Sequence, residues 1–152
     1  MPISLNDKFF PLLILSFRDP FLPGELDRHY KKLAQIADYA LERQLRTVAI
    51  LTSDPSLVSP TGRKQSAEAL RIHMTPAQVD VTLASFIAID NAFVRGVVTA
   101  FRWLSADGTL KSLRFIATMQ QAMDQALEAL EGAGTPFKGD LAALKKELNL
   151  PA

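Results

Sequence analysis

The chain has 152 residues, of which 48% are hydrophobic and 22% charged, with 17 Lys and Arg against 16 Asp and Glu for a net charge of +1. A chain of this length and balance suits one domain that buries roughly 70% of its unfolded surface, and it is not the composition of a disordered segment. The near-neutral charge offers no electrostatic footprint for nucleic acid, and the lack of cysteine excludes disulfides, thiol catalysis and thiolate metal sites and fits a reducing, cytoplasmic setting.

Near the N-terminus Lys8 precedes the apolar run FFPLLILSF. Asp7 offsets that charge, Pro11 interrupts the run, and RDPFLPGEL stands where a secretion signal would carry a small-residue cleavage site. The run therefore reads as a buried strand, Pro11 to Phe17, with ISL before it as a weaker edge strand. No stretch approaches the roughly 20 apolar residues of a membrane span, so no integral membrane segment is expected.

From about Gly24 to Gln44, Leu26, Tyr30, Leu33, Ala37 and Leu41 recur at helical spacing with charged residues opposite, which predicts an amphipathic helix. His29 falls at the boundary of that stripe. RTVAILT (Arg46 to Thr52) is a second buried strand. A helix from about Pro60 to Met74 follows a loop, and Thr75-Pro76 opens a further short turn. LASFIAI (Leu83 to Ile89) is a third strand, with Asp90 as N-cap of the helix NAFVRGVVTAFRWL. After the Asp-Gly turn in SADGT, LKSLRFIAT predicts a fourth strand and MQQAMDQALEALE a helix ended by Gly132 or Gly134.

Alternating strands and helices, with each strand a near-continuous apolar run, predict an α/β fold: a small, mostly parallel sheet of four or five strands with packed helices. The expected organisation is a domain over 1–134 and an amphipathic helical tail over 135–152, with Leu141, Leu144 and Leu148 on one side of the tail.

The loop LTSDPSLVSPTGRKQSAEAL concentrates the residues that invite a functional reading. Gly62-Arg63-Lys64 lacks the upstream glycine and the Ser/Thr of a phosphate-binding loop, and no Gly-x-Gly-x-x-Gly occurs. Ser59 capping a helix that Pro60 opens accounts for much of the pattern. The alternative is an anion site or a phosphorylation site at Ser56, Ser59, Thr61, Gly62, Arg63 and Lys64, where helix N–H groups and two cations would favour negative charge. No residue is assigned to catalysis. Ser53, Ser56 and Ser59 lack a nucleophile-elbow signature, Asp54 and Asp90 suit a turn and a cap, and His73 suits a helix terminus. With only His29 and His73 as imidazoles, no metal or cofactor is expected.

The helix NAFVRGVVTAFRWL is apolar nearly all round. Phe93, Arg95, Phe101, Arg102 and Trp103, with Leu141, Leu144 and Leu148 of the tail, are candidate contacts for a protein partner or a second copy of this chain. Burial within the domain is the competing reading for both segments.

ASFIAIDNAFVRGVVTAFRWL followed by LRFIATMQQAMDQAL, and the loop–helix unit after the second expected strand, resemble the STAS domain (sulfate transporter and anti-sigma-factor antagonist). The resemblance covers roughly Leu12 to Leu130. It implies a STAS-like fold that works through protein–protein contact without chemistry. In the anti-sigma-factor antagonists a serine of an Asp-Ser-Ser/Thr-Gly motif before the helix is phosphorylated. The matching region here is DPSLVSPTG, which offers Ser56, Ser59 and Thr61 but not the contiguous motif.

Two functions follow as expectations. One is a non-enzymatic regulatory or scaffold module that binds a protein partner and is switched by phosphorylation of the 56–61 loop. The other is a domain that binds a small anionic ligand or nucleotide through residues 59–64. The second requires a concave cavity beside Gly62; the first requires an exposed apolar patch.

Overall fold

The computed structural model describes residues 2–53, 58–88 and 113–151. Among them five strands form one sheet in the spatial order β1-β2-β3-β4-β5. They are β1 Ile3–Asn6, β2 Leu12–Phe17, β3 Thr47–Leu51, β4 Thr82–Ala88 and β5 Leu113–Ile116. β1 runs antiparallel to β2, with Ile3 opposite Phe17. β2, β3, β4 and β5 are parallel neighbours, through registers that include Leu12 with Val48, Ile50 with Phe86, and Ile87 with Phe115. The sheet is thus mixed, and the weakly signalled ISL segment is its antiparallel edge.

The described helices are α1 Glu25–Glu42, α2 Pro60–His73, α3 Pro76–Asp80, α4 Met119–Gly132 and α5 Leu141–Glu147. Local chemistry explains their starts. The Ser59 side chain accepts from the Gly62 N–H at 3.0 Å and Pro60 takes the first helical position of α2. Thr75 and Gln78 form a reciprocal capping box at α3. Thr118 caps α4 through the Gln121 N–H, and Asp140 caps α5 by accepting from Ala142 and Ala143. α1 has no side-chain cap and starts instead from Gly24 at φ 75°, a left-handed conformation that a Cβ would strain.

Because side chains alternate along a strand, the sheet sends one set of residues to each face. Leu12, Ile14, Val48, Ile50, Ala84 and Phe86 pack against Ala122, Met123, Ala126 and Leu130 of α4. Leu13, Leu15 and Ala49 point the other way, towards Leu33 and Ile36 of α1. α1, α2 and α3 share that second face, where Tyr30, Ala37, Ala40, Ala69, Met74 and Val81 form a further cluster. β2 and β3 are therefore covered on both sides, as their unbroken apolar runs predict. β5 departs from that pattern, with Arg114 and Phe115 exposed.

Two expectations are corrected by burial. Leu144 and Leu148 belong to the same core cluster as β2, β3 and α4, so they are not contact surface for a partner. The tail is part of the domain's packing, because Leu144 and Leu148 are buried in the cluster formed by the sheet and α4. Of the three leucines, only Leu141 is exposed. In α1 the inward stripe runs through Glu25, His29, Tyr30, Ala37 and Ala40, while Leu41 is exposed. His29 is thus interior and not a boundary residue, because Phe17 and Tyr30 both lay ring edges against it, at 5.0 and 4.7 Å between centroids.

Candidate functional site

A cavity of about 150 Å³ lies between the second sheet face and the α1–α2 layer. Strand order β2 to β5 never reverses, so the sheet has no crevice of the kind that forms where order switches. Ala49 on β3, Ser85 on β4 and Ala67 on α2 are small residues on its wall. Leu13, Leu15, Leu33, Leu70 and Met74 give most of the remaining surface, which is apolar.

Polar groups reach this wall mainly from the two helices. Tyr30 and Ser66 join their hydroxyls at 2.6 Å across the α1–α2 seam. Burial pushes the Tyr30 hydroxyl up to about 12, so it stays protonated and has no role as a base. His29, one residue before Tyr30, is 6% exposed, and its Nε2 finds no hydrogen-bond partner among the described residues. Burial, with Lys32 adding to it and Glu25 opposing, lowers its imidazole from 6.5 to about 4 and leaves it neutral near pH 7. Arg63, three residues before Ser66 on α2, donates from Nη1 to the Val58 carbonyl at 2.6 Å. Its Nε is buried and likewise has no partner among the described residues. Ser53 also lines the cavity, with its Oγ accepting from the Phe17 N–H at 2.9 Å.

The other sequence-derived site residues divide clearly. Ser59 and Thr61 are exposed, as is Lys64, and Gly62 is buried. The start of α2 is filled by the protein's own groups. Ser59 Oγ accepts the Gly62 N–H, and the Arg63 N–H bonds to the Ser59 carbonyl at 2.9 Å. The Asp19 carboxylate accepts the Ser59 N–H at 2.9 Å. Hydrogen bonds from the Ser59 side chain and backbone, with Arg63 nearby, hold the Asp19 carboxyl below its usual range. A resident carboxylate thus sits where an incoming anion was expected. A Cβ on Gly62 would meet Val58 at 3.1 Å and Asp19 and Phe21 at 3.2 Å, so glycine here serves close packing of the loop on the helix. Among the described members of the expected set, only Arg63 lines the cavity. Ser56, Phe93, Arg95, Phe101, Arg102 and Trp103 lie outside the described residues, as do Asp54 and Asp90.

Sequence reasoning missed His29, Tyr30 and Ser66 as site residues. The available signal was the helical spacing Glu25–His29–Leu33, which places His29 on the inward side of α1. Ser66 carried no signal, since its partner is 36 residues away. Among the described residues no group of three or more His, Asp or Glu is placed to hold a metal ion, and no helix is long and apolar enough to cross a membrane. No protein-family model, no curated protein and no solved structure matches this chain.

Proposed function

We propose that the domain binds a small, largely apolar molecule in the cavity between its sheet and the α1–α2 layer. The observation that carries this reading is the cavity itself, with its apolar wall, to which His29 and Arg63 are the imidazole and guanidinium contributors among the described residues. Pockets of this type, apolar with a few convergent polar groups, are what small-molecule sites present. The ligand-binding expectation is retained in altered form, since the site is the cavity behind Arg63 and not the exposed start of α2. The protein-contact reading and the STAS likeness also stand as proposals. The loop–helix unit that carries the likeness does follow the second expected strand, as α2 follows β3.

The test fills the cavity. Ala67 is half-buried on its wall, at the exposed layer of the fold, so Ala67→Phe should occupy the space with little rearrangement. Titration of the wild type with benzene or indole should shift the methyl NMR signals of Leu13, Leu33 and Met74. The same titration of Ala67→Phe should leave them still, with its melting temperature unchanged or raised. Methyl signals indifferent to every ring-bearing probe in the wild type would remove the proposal.

A further inference from the structure

Resting on that cavity reading, we infer that the molecule bound is a small uncharged aromatic compound with a single hydroxyl or N–H that bonds to Ser85. Most polar groups on the wall are withheld from a ligand. The Tyr30 and Ser66 hydroxyls bond to each other at 2.6 Å. Ser53 Oγ is engaged by the Phe17 N–H at 2.9 Å, and Thr82 shares its hydroxyl with that of Thr47 at 3.2 Å. The Nε2 of His29 and the Nε of Arg63 are sealed from solvent, so a molecule in the cavity does not reach them. Arg63 Nη1 is given to the Val58 carbonyl at 2.6 Å.

Ser85 differs from these. Ala84 and Phe86 of β4 belong to the cluster beneath α4, and alternation turns Ser85, between them, to the cavity that it lines. Across the ladder it stands opposite Ala49 on β3 and Leu113 on β5. Both also line the cavity, and neither side chain carries a polar atom, so no side chain beside it in the register takes up its hydroxyl. Ser85 is half-buried. A serine hydroxyl offers one proton and two lone pairs, and so meets a donor or an acceptor.

Charge and size restrict the rest of the molecule. The Arg63 charge is already set against the Asp19 carboxylate, which accepts the Ser59 N–H, and burial keeps His29 neutral near pH 7. A carboxylate or ammonium group in the cavity would lose its water with no opposite charge left to meet it, and an unpaired buried charge is costly. An apolar space of about 150 Å³ takes benzene in a protein core. Phe17, His29 and Tyr30 contact one another edge to face at the wall, and aromatic edges and faces favour a further ring in the same geometry.

The experiment titrates the full chain with phenol, with its isostere toluene and with benzoate, reading affinities from the methyl signals of Leu13, Leu33 and Met74. Phenol and toluene should bind, and benzoate should not at the same concentrations. In Ser85→Ala the ratio of phenol to toluene affinity should fall about tenfold, the scale of leaving one polar group unpaired. Toluene should still bind, which reports that the variant's cavity is intact. An unchanged ratio in a variant that binds toluene would overturn the Ser85 assignment. Benzoate bound as tightly as phenol by the wild type, which requires no variant to fold, would overturn the uncharged class. Either result leaves the cavity reading standing. Methyl signals silent to all three compounds, and to benzene and indole, would remove both proposals.

Discussion

His29 shows how one buried residue sets a condition on the whole molecule. Its imidazole is lowered to about 4 by burial first, with Lys32 reinforcing and Glu25 opposing, and with Arg63 on the same cavity. A folded-state value below the unfolded 6.5 means that the unfolded chain binds the proton first as pH falls. The stability from keeping His29 neutral is therefore full above about pH 6.5 and is lost progressively towards pH 4. A shift of this size is worth about 3 kcal/mol, of the same order as a sizeable fraction of a domain's total stability. Urea denaturation of the wild type at pH 7 and pH 4.5 should register that loss, and His29→Phe should show a clearly shallower dependence. An equal pH dependence in both proteins would mean that other groups govern acid sensitivity. Tyr30, by contrast, stays neutral throughout this range and contributes nothing to the slope.

At the scale of elements, an acidic side chain ties the edge strand of the sheet to the helix layer. Glu25, in the first turn of α1, is 8% exposed and accepts from the Ile3 N–H at 3.0 Å and the Leu22 N–H at 2.9 Å. The first bond ties β1 to a helix 22 residues away, and the second closes the loop that enters α1. Glu25→Ala leaves both donors unsatisfied, at a cost of about 1–3 kcal/mol for each one that water cannot reach. Amide exchange at Ile3 and Leu5 should accelerate in this variant before exchange in β3 changes; uniform acceleration would show that β1 is not a separate unit. The helix starts belong to the same scale and were more legible. Ser59 and Thr75 cap their helices by bonds spanning three residues, and interactions that local are written in adjacent sequence. Glu25 was not legible, because an acidic residue in a first helical turn is ordinarily a solvated dipole partner. Its burial depends on where β1 lies.

For the whole molecule, the two faces of the sheet are closed differently. The α1–α2 layer leaves a cavity, whereas on the opposite face α4 and α5 bring Leu130, Leu144 and Leu148 into one cluster. α5 has only seven residues, too few to persist by itself in water, so its helicity derives from docking. Leu144→Ala should destabilise the protein by about 2–5 kcal/mol, as a Leu truncated in a filled core does. Thermal unfolding checks this, and a change within about 0.5 kcal/mol, the range of surface substitutions, would return α5 to the status of an exposed tail. The choice between docking and partner binding was open in the sequence, because a Leu141–Leu144–Leu148 stripe shows a need for burial without naming what buries it.

Among the described residues, the sequence by itself determined the main elements and their order: the apolar runs of β2 and β3, the stripe of α1, the Ser59 cap of α2, and the alternation that makes an α/β sheet. These rest on periodicity and on contacts within a turn or two, which are properties of neighbouring residues. Only the tertiary structure decided that His29 is interior, that Asp19 occupies the start of α2, and that small residues on β3, β4 and α2 line one cavity with Arg63. Each of these depends on groups tens of residues apart, Asp19 with Ser59 across 40 and Tyr30 with Ser66 across 36. A cavity is a mismatch of volumes between packed layers, and it comes into being only when the layers meet.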